Sequence, residues 1–175
     1  MELCSIAQVF DDIQLGICEI GVGRAEERCG ATELLKAMLG YEVEINHNAD
    51  GKPLTPYYNI SITHTKGFLA ILLSKKHSVG IDIEYVSDRI HRVAHRLLRA
   101  DESYTATDDL LKVWCAKEAI YKLFSAYHLG FQDAKIDLLT EKAELLQHDI
   151  ILLGHQFVPL RITMNDKYAM VITWT

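Results

Sequence analysis

The chain has 175 residues, and 18 Lys and Arg against 24 Asp and Glu give a formal net charge of −6. Its length fits one domain, and its 49% hydrophobic and 24% charged residues exclude an intrinsically disordered chain. The acidic balance argues against a general nucleic-acid binder, because such proteins neutralise phosphates with Lys and Arg.

The sequence predicts neither a membrane span nor a secretion signal. The first basic residue is Arg24, so the N-terminal segment lacks the positive charge of a signal peptide. The longest uncharged runs are shorter than the ~18–20 apolar residues that cross a bilayer. The four cysteines include no C-x-x-C pair and are expected to be reduced thiols. We therefore expect a cytoplasmic protein that binds no membrane.

The first half of the chain predicts one helix followed by strands. Residues 24–39 carry apolar side chains at helical spacing, and Gly40 can end the helix. A polar turn follows at 46–51. Three short strands are predicted at residues 58–65, 68–74 and 79–85, the last two joined as a hairpin across 75–78.

The second half predicts helices and then strands, after a change in composition near Ser87–Asp88. One helix is expected from about Ile90, and a longer one over 107–129 with Gly130 as its stop. Strands are expected at residues 136–139, 150–153, 156–163 and 168–174, with a turn at 165–166. Pro159 predicts an edge strand. Helix, strands, helices and strands in this order indicate an α+β fold.

The residues GIDIE at 80–84 place two carboxylates on one face of a strand. Because residues two apart share a face, Asp82 and Glu84 project together while Ile81 and Ile83 point into the core. Two carboxylates this close repel unless a cation lies between them, and oxygen ligands of this kind suit Mg²⁺. The alternative is the solvated face of an antiparallel edge strand, where alternating acids are ordinary.

The residues WCAKEAIYK at 114–122 place further charged side chains on one helix face. Trp114, Glu118 and Lys122 lie four residues apart and therefore stack, with Lys117 alongside. The alternative is a simple surface Glu–Lys pair, favourable by only ~0.2–0.5 kcal/mol.

A third candidate is His64, at the end of the strand NISITHT over 59–65. A histidine among hydroxyl side chains can donate to phosphate oxygens, as can Lys52 of the preceding GKP segment. The alternative for His64 is a strand-end histidine bonded to backbone.

Together these segments carry a resemblance to a known family. GKP, a strand ending in ITHT, GIDIE and WCAKEAIYK, in this order, resemble the 4′-phosphopantetheinyl transferases of the surfactin-synthetase-activating type. The resemblance implies a short member of that type with a single transferase domain, and a monomer. It implies two pseudo-symmetric halves, about 1–88 and 89–175, each a helix packed on a small antiparallel sheet.

The resemblance also implies a reaction and the residues that perform it. Such enzymes transfer the phosphopantetheine arm of coenzyme A to a serine of an apo acyl or peptidyl carrier protein and release adenosine 3′,5′-bisphosphate. Asp82, Glu84 and Glu118 match the Mg²⁺ ligands, and Mn²⁺ is a possible substitute. Glu118 is the expected proton acceptor, with Glu84 or a metal-bound water as the alternative. Lys122 is expected to stabilise the transition state.

Further matches are implied for coenzyme A. Lys52 and His64 match phosphate-gripping positions, and Thr63, beside His64 where the family prefers serine, is expected to bind coenzyme A with them. Lys122 is expected to contact the same substrate, and Lys117 is expected either to form a salt bridge or to contact that substrate. The family's first-helix arginine is replaced by Thr32, and Arg28, one turn earlier, is expected to substitute.

An arginine stripe is the expected contact for an acidic carrier protein. Its members recur at helical spacing, although an ordinary solvated face would look the same: Arg89, Arg92, Arg96 and Arg99.

Two other functions stay open. One is a different Mg²⁺-dependent phosphoryl-transfer enzyme, although no G-x-x-x-x-G-K-[ST] loop is present. The other is a non-catalytic carrier-binding module of the same fold.

Overall fold

A computed structural model describes residues 2–175, whose strands form two antiparallel sheets and a small two-stranded one. The strands are β1 (Glu2–Phe10), β2 (Ile13–Glu19), β3 (Asn46–His47), β4 (Pro53–Leu54), β5 (Asn59–Thr65), β6 (Phe68–Ser74), β7 (Val79–Tyr85), β8 (Ala134–Asp137), β9 (Lys142–Leu145), β10 (Phe157–Met164) and β11 (Tyr168–Trp174). The α-helices are α1 (Arg24–Leu39), α2 (Ala94–Leu97), α3 (Thr107–Leu123) and α4 (His148–Leu152). Within the described residues, no helix is both long and apolar enough to cross a membrane.

The N-terminal sheet has the strand order β1-β2-β6-β5, and α1 packs on one of its faces. Leu34 and Leu35 of α1 are fully buried in a cluster with Leu69 and Ile71 of β6. The helix ends at Gly40, which adopts a left-handed conformation with φ 79° and donates its N–H to Lys36 O. The predicted helix 24–39 and its glycine stop are confirmed.

The C-terminal sheet has the order β7-β11-β10-β9-β8, and α3 packs on β7 and β11. Ala116 and Ile120 of α3 lie in the core of this half with Ala169 and Val171 of β11. The chain is thus an α+β protein of two helix-on-sheet halves, and the predicted fold class is confirmed.

The two sheets meet through an apolar layer and through one pair of neighbouring edge strands. Side chains from both sheets form the layer: Ile13, Leu15, Ile17, Ala70, Leu72, Val79, Ile81, Ile83, Met170 and Ile172. Strands β5 and β7 run side by side in the same direction, yet they belong to different sheets. Their link is a row of three hydroxyl side chains of β5, the hydroxyl row: Ser61, Thr63 and Thr65.

The position of β7 corrects one prediction. The hairpin across 75–78 does not form, because β7 pairs with β11, whereas β6 pairs with β2 and β5. The chain therefore passes from the first sheet to the second at 75–78, ahead of the change in composition near Ser87–Asp88.

The helices after β7 are shorter than predicted. In place of one helix from Ile90, a 3₁₀-helix over Asp88–Arg92 precedes the short helix α2. Helix α3 ends at Leu123 and a 3₁₀-turn follows, so Gly130, with an extended φ of −88°, is not its stop.

The C-terminal strands bring two more corrections. Residues 150–153, expected as a strand, lie mostly in α4, because a short apolar run does not distinguish strand from helix. Strand β10 lies between β11 and β9 rather than at an edge. Pro159 is tolerated there because pairing with β11 begins only at Leu160, so no N–H is needed at the proline.

Candidate active site

Strand β7 presents its two carboxylates to helix α3. Gly80, Asp82 and Glu84 share the face toward α3, while Ile81 and Ile83 enter the layer between the sheets. A Cβ atom at Gly80 would clash with Ala119 O, so only glycine allows the helix to pack this closely on the strand. This contact places Glu118, the neighbour of Ala119, beside the carboxylates of β7.

Asp82 lies at the centre of the site. It is 7% exposed, and its Oδ1 accepts hydrogen bonds from Lys122 Nζ at 2.7 Å and from Thr63 Oγ1 at 3.0 Å. Its Oδ2 is buried and accepts no hydrogen bond from any described residue. A buried carboxylate oxygen without a partner is costly, and it points to a missing donor or cation.

Glu84 and Glu118 are both influenced by the charge of Asp82. Burial raises the pKa of Glu84, and the neighbouring carboxylate of Asp82 raises it further. Burial and the Asp82 charge also raise the pKa of Glu118. The three carboxylates repel one another, which a cation among them would relieve.

The donor set fits Mg²⁺ by chemistry, because it consists of carboxylate oxygens and includes the unpartnered Asp82 Oδ2. The three side chains stand further apart than the ligands of a bound ion would, because one oxygen from each does not lie within 4.8 Å of the other two. Lys122 Nζ instead neutralises Asp82.

One acidic and histidine cluster does meet that distance, but hydrogen bonds within the fold account for it. Asp11, Asp12 and His77 lie together at the end of the β1–β2 hairpin. Asp12 accepts hydrogen bonds from the backbone N–H groups of Lys75 and Lys76, and Asp11 pairs with the Lys76 side chain. This cluster fastens the hairpin to the link before β7.

Two lysines face a cavity of about 220 Å³ between the halves. Lys52 comes from the segment before β4, Lys122 comes from α3, and Tyr121 and Ser61 complete the wall. Burial lowers the pKa of Lys52, because the charged form loses hydration. Two lysines in the wall of one hollow suit a phosphate or diphosphate.

A neighbouring cavity of about 380 Å³ carries basic side chains on apolar walls. Arg28 of α1, His47 of β3 and His64 of β5 line it together with Ile45 and Leu69. His64 Nδ1 lies 3.6 Å from Glu27 Oε1. The two cavities share residues Gly51, Pro53 and Ile62, so they adjoin.

The structure thus brings Arg28 and His64 to one cavity and Lys52 and Lys122 to the next. His47 was missed by sequence reasoning. Its place just ahead of the GKP segment, in the turn predicted at 46–51, was the available signal.

Two residues expected near coenzyme A make hydrogen bonds within the protein instead. Thr63 is buried, and its hydroxyl donates to Asp82, so it supports a carboxylate rather than a phosphate. Lys117 has a fully buried ammonium that pairs with Glu102 at 2.6 Å and donates to Leu97 O and Phe131 O. With these acceptors its three hydrogens are used, so of the two roles expected for Lys117 the structure shows the salt bridge.

The arginine stripe is also revised. Its members do not share one helix, because a 3₁₀-helix and α2 divide the segment. Arg99 pairs with Asp101 and donates a hydrogen bond to Gln132 O, so its contacts stabilise the fold. Arg89, Arg92 and Arg96 are exposed, and Arg89 lines a hollow of about 210 Å³ together with Glu84 and Trp114.

A comparison with family models places this geometry in a family. The model described as ACPS, 4′-phosphopantetheinyl transferase superfamily, matches residues 78–172, more than half of the chain. The matched segment contains the three carboxylates and Lys122, whereas Arg28, Lys52 and His64 lie before it. A search of curated proteins gives no significant match. The chain belongs to the 4′-phosphopantetheinyl transferase superfamily.

Proposed function

We propose that this protein transfers the 4′-phosphopantetheine arm of coenzyme A to a serine of an apo acyl or peptidyl carrier protein, in a Mg²⁺-dependent reaction that releases adenosine 3′,5′-bisphosphate. Membership of the superfamily supports phosphopantetheinyl transfer from coenzyme A in general. The observation that carries the finer proposal is the buried, partly unpartnered Asp82 between Lys122 and two further carboxylates, beside a cavity lined by two lysines.

Coenzyme A would occupy the two adjoining cavities. The apolar walls of the larger one suit adenine, and Arg28, His47 and His64 on those walls suit the 3′-phosphate. The diphosphate would then lie between Lys52 and Lys122 in the smaller cavity. This order directs the pantetheine end toward the carboxylates of β7 and α3.

Asp82, Glu84 and Glu118 would hold the Mg²⁺, or Mn²⁺ in its place. When bound, the ion supplies charge neutralisation at the diphosphate. Glu118 would accept the serine proton as the serine oxygen forms a bond to the phosphorus that carries pantetheine. The bond from that phosphorus to the departing adenosine bisphosphate breaks with its electron pair on the leaving oxygen. Lys122 would stabilise that charge.

The pKa of Glu118 suits the role of proton acceptor. Burial and the Asp82 charge raise it, which brings the carboxylate closer to the basicity that proton transfer near neutral pH requires. The charge on Lys122 opposes part of this rise. Glu84, whose pKa is also raised, is the second candidate for the same role.

The carrier protein would approach across Arg89, Arg92 and Arg96. These exposed arginines follow β7 directly, and the hollow beside Arg89 reaches Glu84, so a bound acidic carrier would have its serine close to the carboxylates. We further propose that the chain is one cytoplasmic, monomeric transferase domain of the surfactin-synthetase-activating type.

The test is the intact mass of an apo carrier protein after incubation with this protein, coenzyme A and Mg²⁺. We expect a gain of one phosphopantetheine arm on a serine, its loss with EDTA, and its loss in the Glu118→Gln variant. If several apo carriers bind the folded protein and gain no mass, the carrier-binding module is the better description.

A further inference from the structure

We propose that Thr65 is a positioning residue for Glu84: it holds that carboxylate in the orientation from which it ligates the metal ion. The inference rests on the proposed function, and it concerns a hydroxyl residue next to His64 that the sequence associated only with phosphate binding. It follows from the way the hydroxyl row of β5 meets β7.

Strand β5 divides its side chains between two tasks. His64 lines the cavity proposed for the nucleotide, whereas its neighbours Thr63 and Thr65 point to the opposite face, toward β7. Thr63 Oγ1 donates to Asp82, and Thr65 Oγ1 donates to Glu84 Oε2 at 3.1 Å. One strand therefore supports both carboxylates of the neighbouring sheet.

The hydrogen bonds of Thr65 fix the direction in which it donates. Its Oγ1 accepts the backbone N–H of Tyr85 at 3.1 Å, which occupies one lone pair of the hydroxyl. The single hydroxyl hydrogen is then left for Glu84 Oε2. Glu84 is thus held by one oxygen, and its Oε1 remains for a cation.

Glu84 depends on this contact more than Asp82 depends on Thr63. Asp82 is held by Lys122 as well as by Thr63. Within residues 2–175, the bond from Thr65 is the one hydrogen bond that the Glu84 side chain accepts. Without it, the side chain of Glu84 regains rotamer freedom that metal binding must remove again.

The first test measures Mn²⁺ binding to the protein without coenzyme A, by electron paramagnetic resonance. Thr65→Val keeps the shape of the side chain and removes the hydroxyl. We expect the Mn²⁺ affinity to fall about 10–100-fold, the usual cost of losing such a supporting partner. Thr65→Ser should restore the affinity to within about twofold, because the same hydroxyl returns.

The matched control is Thr173→Val in β11. Thr173 is also a strand threonine whose hydroxyl donates one hydrogen bond, at 2.8 Å to Pro159 O, but it contacts no carboxylate. The Thr173→Val variant should lower the thermal stability as Thr65→Val does, and it should leave the Mn²⁺ affinity unchanged. A second readout is transfer activity: Thr65→Val should raise the Mg²⁺ concentration for half-maximal rate and leave the KM for coenzyme A unchanged.

Wild-type Mn²⁺ affinity in Thr65→Val would overturn the inference, as would an equal loss in Thr173→Val or a failure of Thr65→Ser to restore binding. If the wild-type protein binds no Mn²⁺, the proposed metal site itself fails, and the inference fails with it. The two failures can be told apart, because a failure of the metal site is seen in the wild-type protein before any substitution is made.

Discussion

Lys122 Nζ lies 2.7 Å from Asp82 Oδ1, so the most buried carboxylate of the site is already paired with an ammonium group. The same lysine lines the cavity proposed for the diphosphate of coenzyme A. A lysine between a carboxylate and a phosphate site competes with a metal ion for the carboxylate, and it attracts the phosphate.

We therefore expect Lys122→Met to bind Mn²⁺ several-fold more tightly than the wild-type protein in the absence of coenzyme A, although its transfer activity is lost. The competing cation is removed, and Asp82 is left with Thr63 as a partner. Calorimetric titration with Mn²⁺ measures this. Lys52→Met is the control, because it removes a charge from the same cavity without touching Asp82. Equal Mn²⁺ affinities in the two variants would contradict direct competition.

Arg28→Met should reduce the discrimination between coenzyme A and 3′-dephospho-coenzyme A. Arg28 lines the larger cavity, and a charge-assisted bond to phosphate contributes about 1.5–3 kcal/mol, or roughly 10–100-fold in affinity. The affinity for coenzyme A should fall by this factor, while that for the dephospho form stays constant. Titrations of wild type and variant with both ligands measure it. A parallel loss for both ligands would place the arginine away from the 3′-phosphate.

Glu118→Gln should make the metal-free protein more stable at pH 7. The pKa of Glu118 is raised in the folded state, so the folded protein binds its proton more tightly than the unfolded chain does. The stabilisation from this proton is complete below the ordinary Glu value of 4.5 and is lost as pH rises through the raised folded value. We expect a Tm increase at pH 7 that disappears below pH 4.5. Thermal unfolding in EDTA across this range is the measurement, and a Tm gain that persists at acidic pH would refute the explanation.

Lys117→Met should destabilise the fold by about 3–5 kcal/mol, because it leaves Glu102 buried and charged without its partner. Glu102 also accepts the backbone N–H groups of Arg99 and Ile136, so the pair joins α3 to β8 and to the segment after α2. The double variant Lys117→Met, Glu102→Gln should recover part of the loss. Urea unfolding of the single and double variants tests this, and a loss below about 1 kcal/mol in the single variant would show that the pair contributes little.

Arg92→Glu combined with Arg96→Glu should raise the KM for an acidic carrier protein and leave the KM for coenzyme A unchanged. The two exposed arginines would steer the carrier, so the effect should shrink as salt screens the charges. Steady-state kinetics at low and high salt measure it, with Lys142→Glu on β9 as the exposed control. An unchanged carrier KM would leave the arginines as a solvated face.

Local patterns identify much of the fold. Helix α1, β6, β7 and β11 have the predicted bounds, because apolar spacing and flanking glycines or turns mark them. Strand β2 is not among the predicted strands, although Ile13, Leu15 and Ile17 alternate along it.

The pairing of β7 could not be predicted in this way. Its partner β11 lies more than 80 residues later in the chain, and adjacent strands favoured a hairpin. Long-range pairing depends on which apolar faces meet in space, and periodicity does not record it.

The same distinction applies to the site: local patterns identify some of its residues, and the others depend on long-range contacts. The carboxylates and Lys122 can be identified because a strand and a helix each repeat their faces at fixed intervals. Thr65, His47 and the burial of Lys117 depend on contacts with distant segments, such as Glu102 fifteen residues before Lys117. The sequence left Lys117 open between a salt bridge and a substrate contact, because its partner Glu102 lies in another segment and periodicity does not reveal that contact.

The contact between Gly80 and Ala119 sets a rule for reading other sequences of this kind. If any larger residue replaced Gly80, its Cβ atom would meet the Ala119 carbonyl oxygen. The helix could then not pack this closely over the two alternating acids that follow. The helix would stand off, and the third acid would move away with it. The glycine before the two acids therefore sets the distance between the helix and the strand. In a chain that keeps the acids but has alanine at this position, the helix must lie further from the strand.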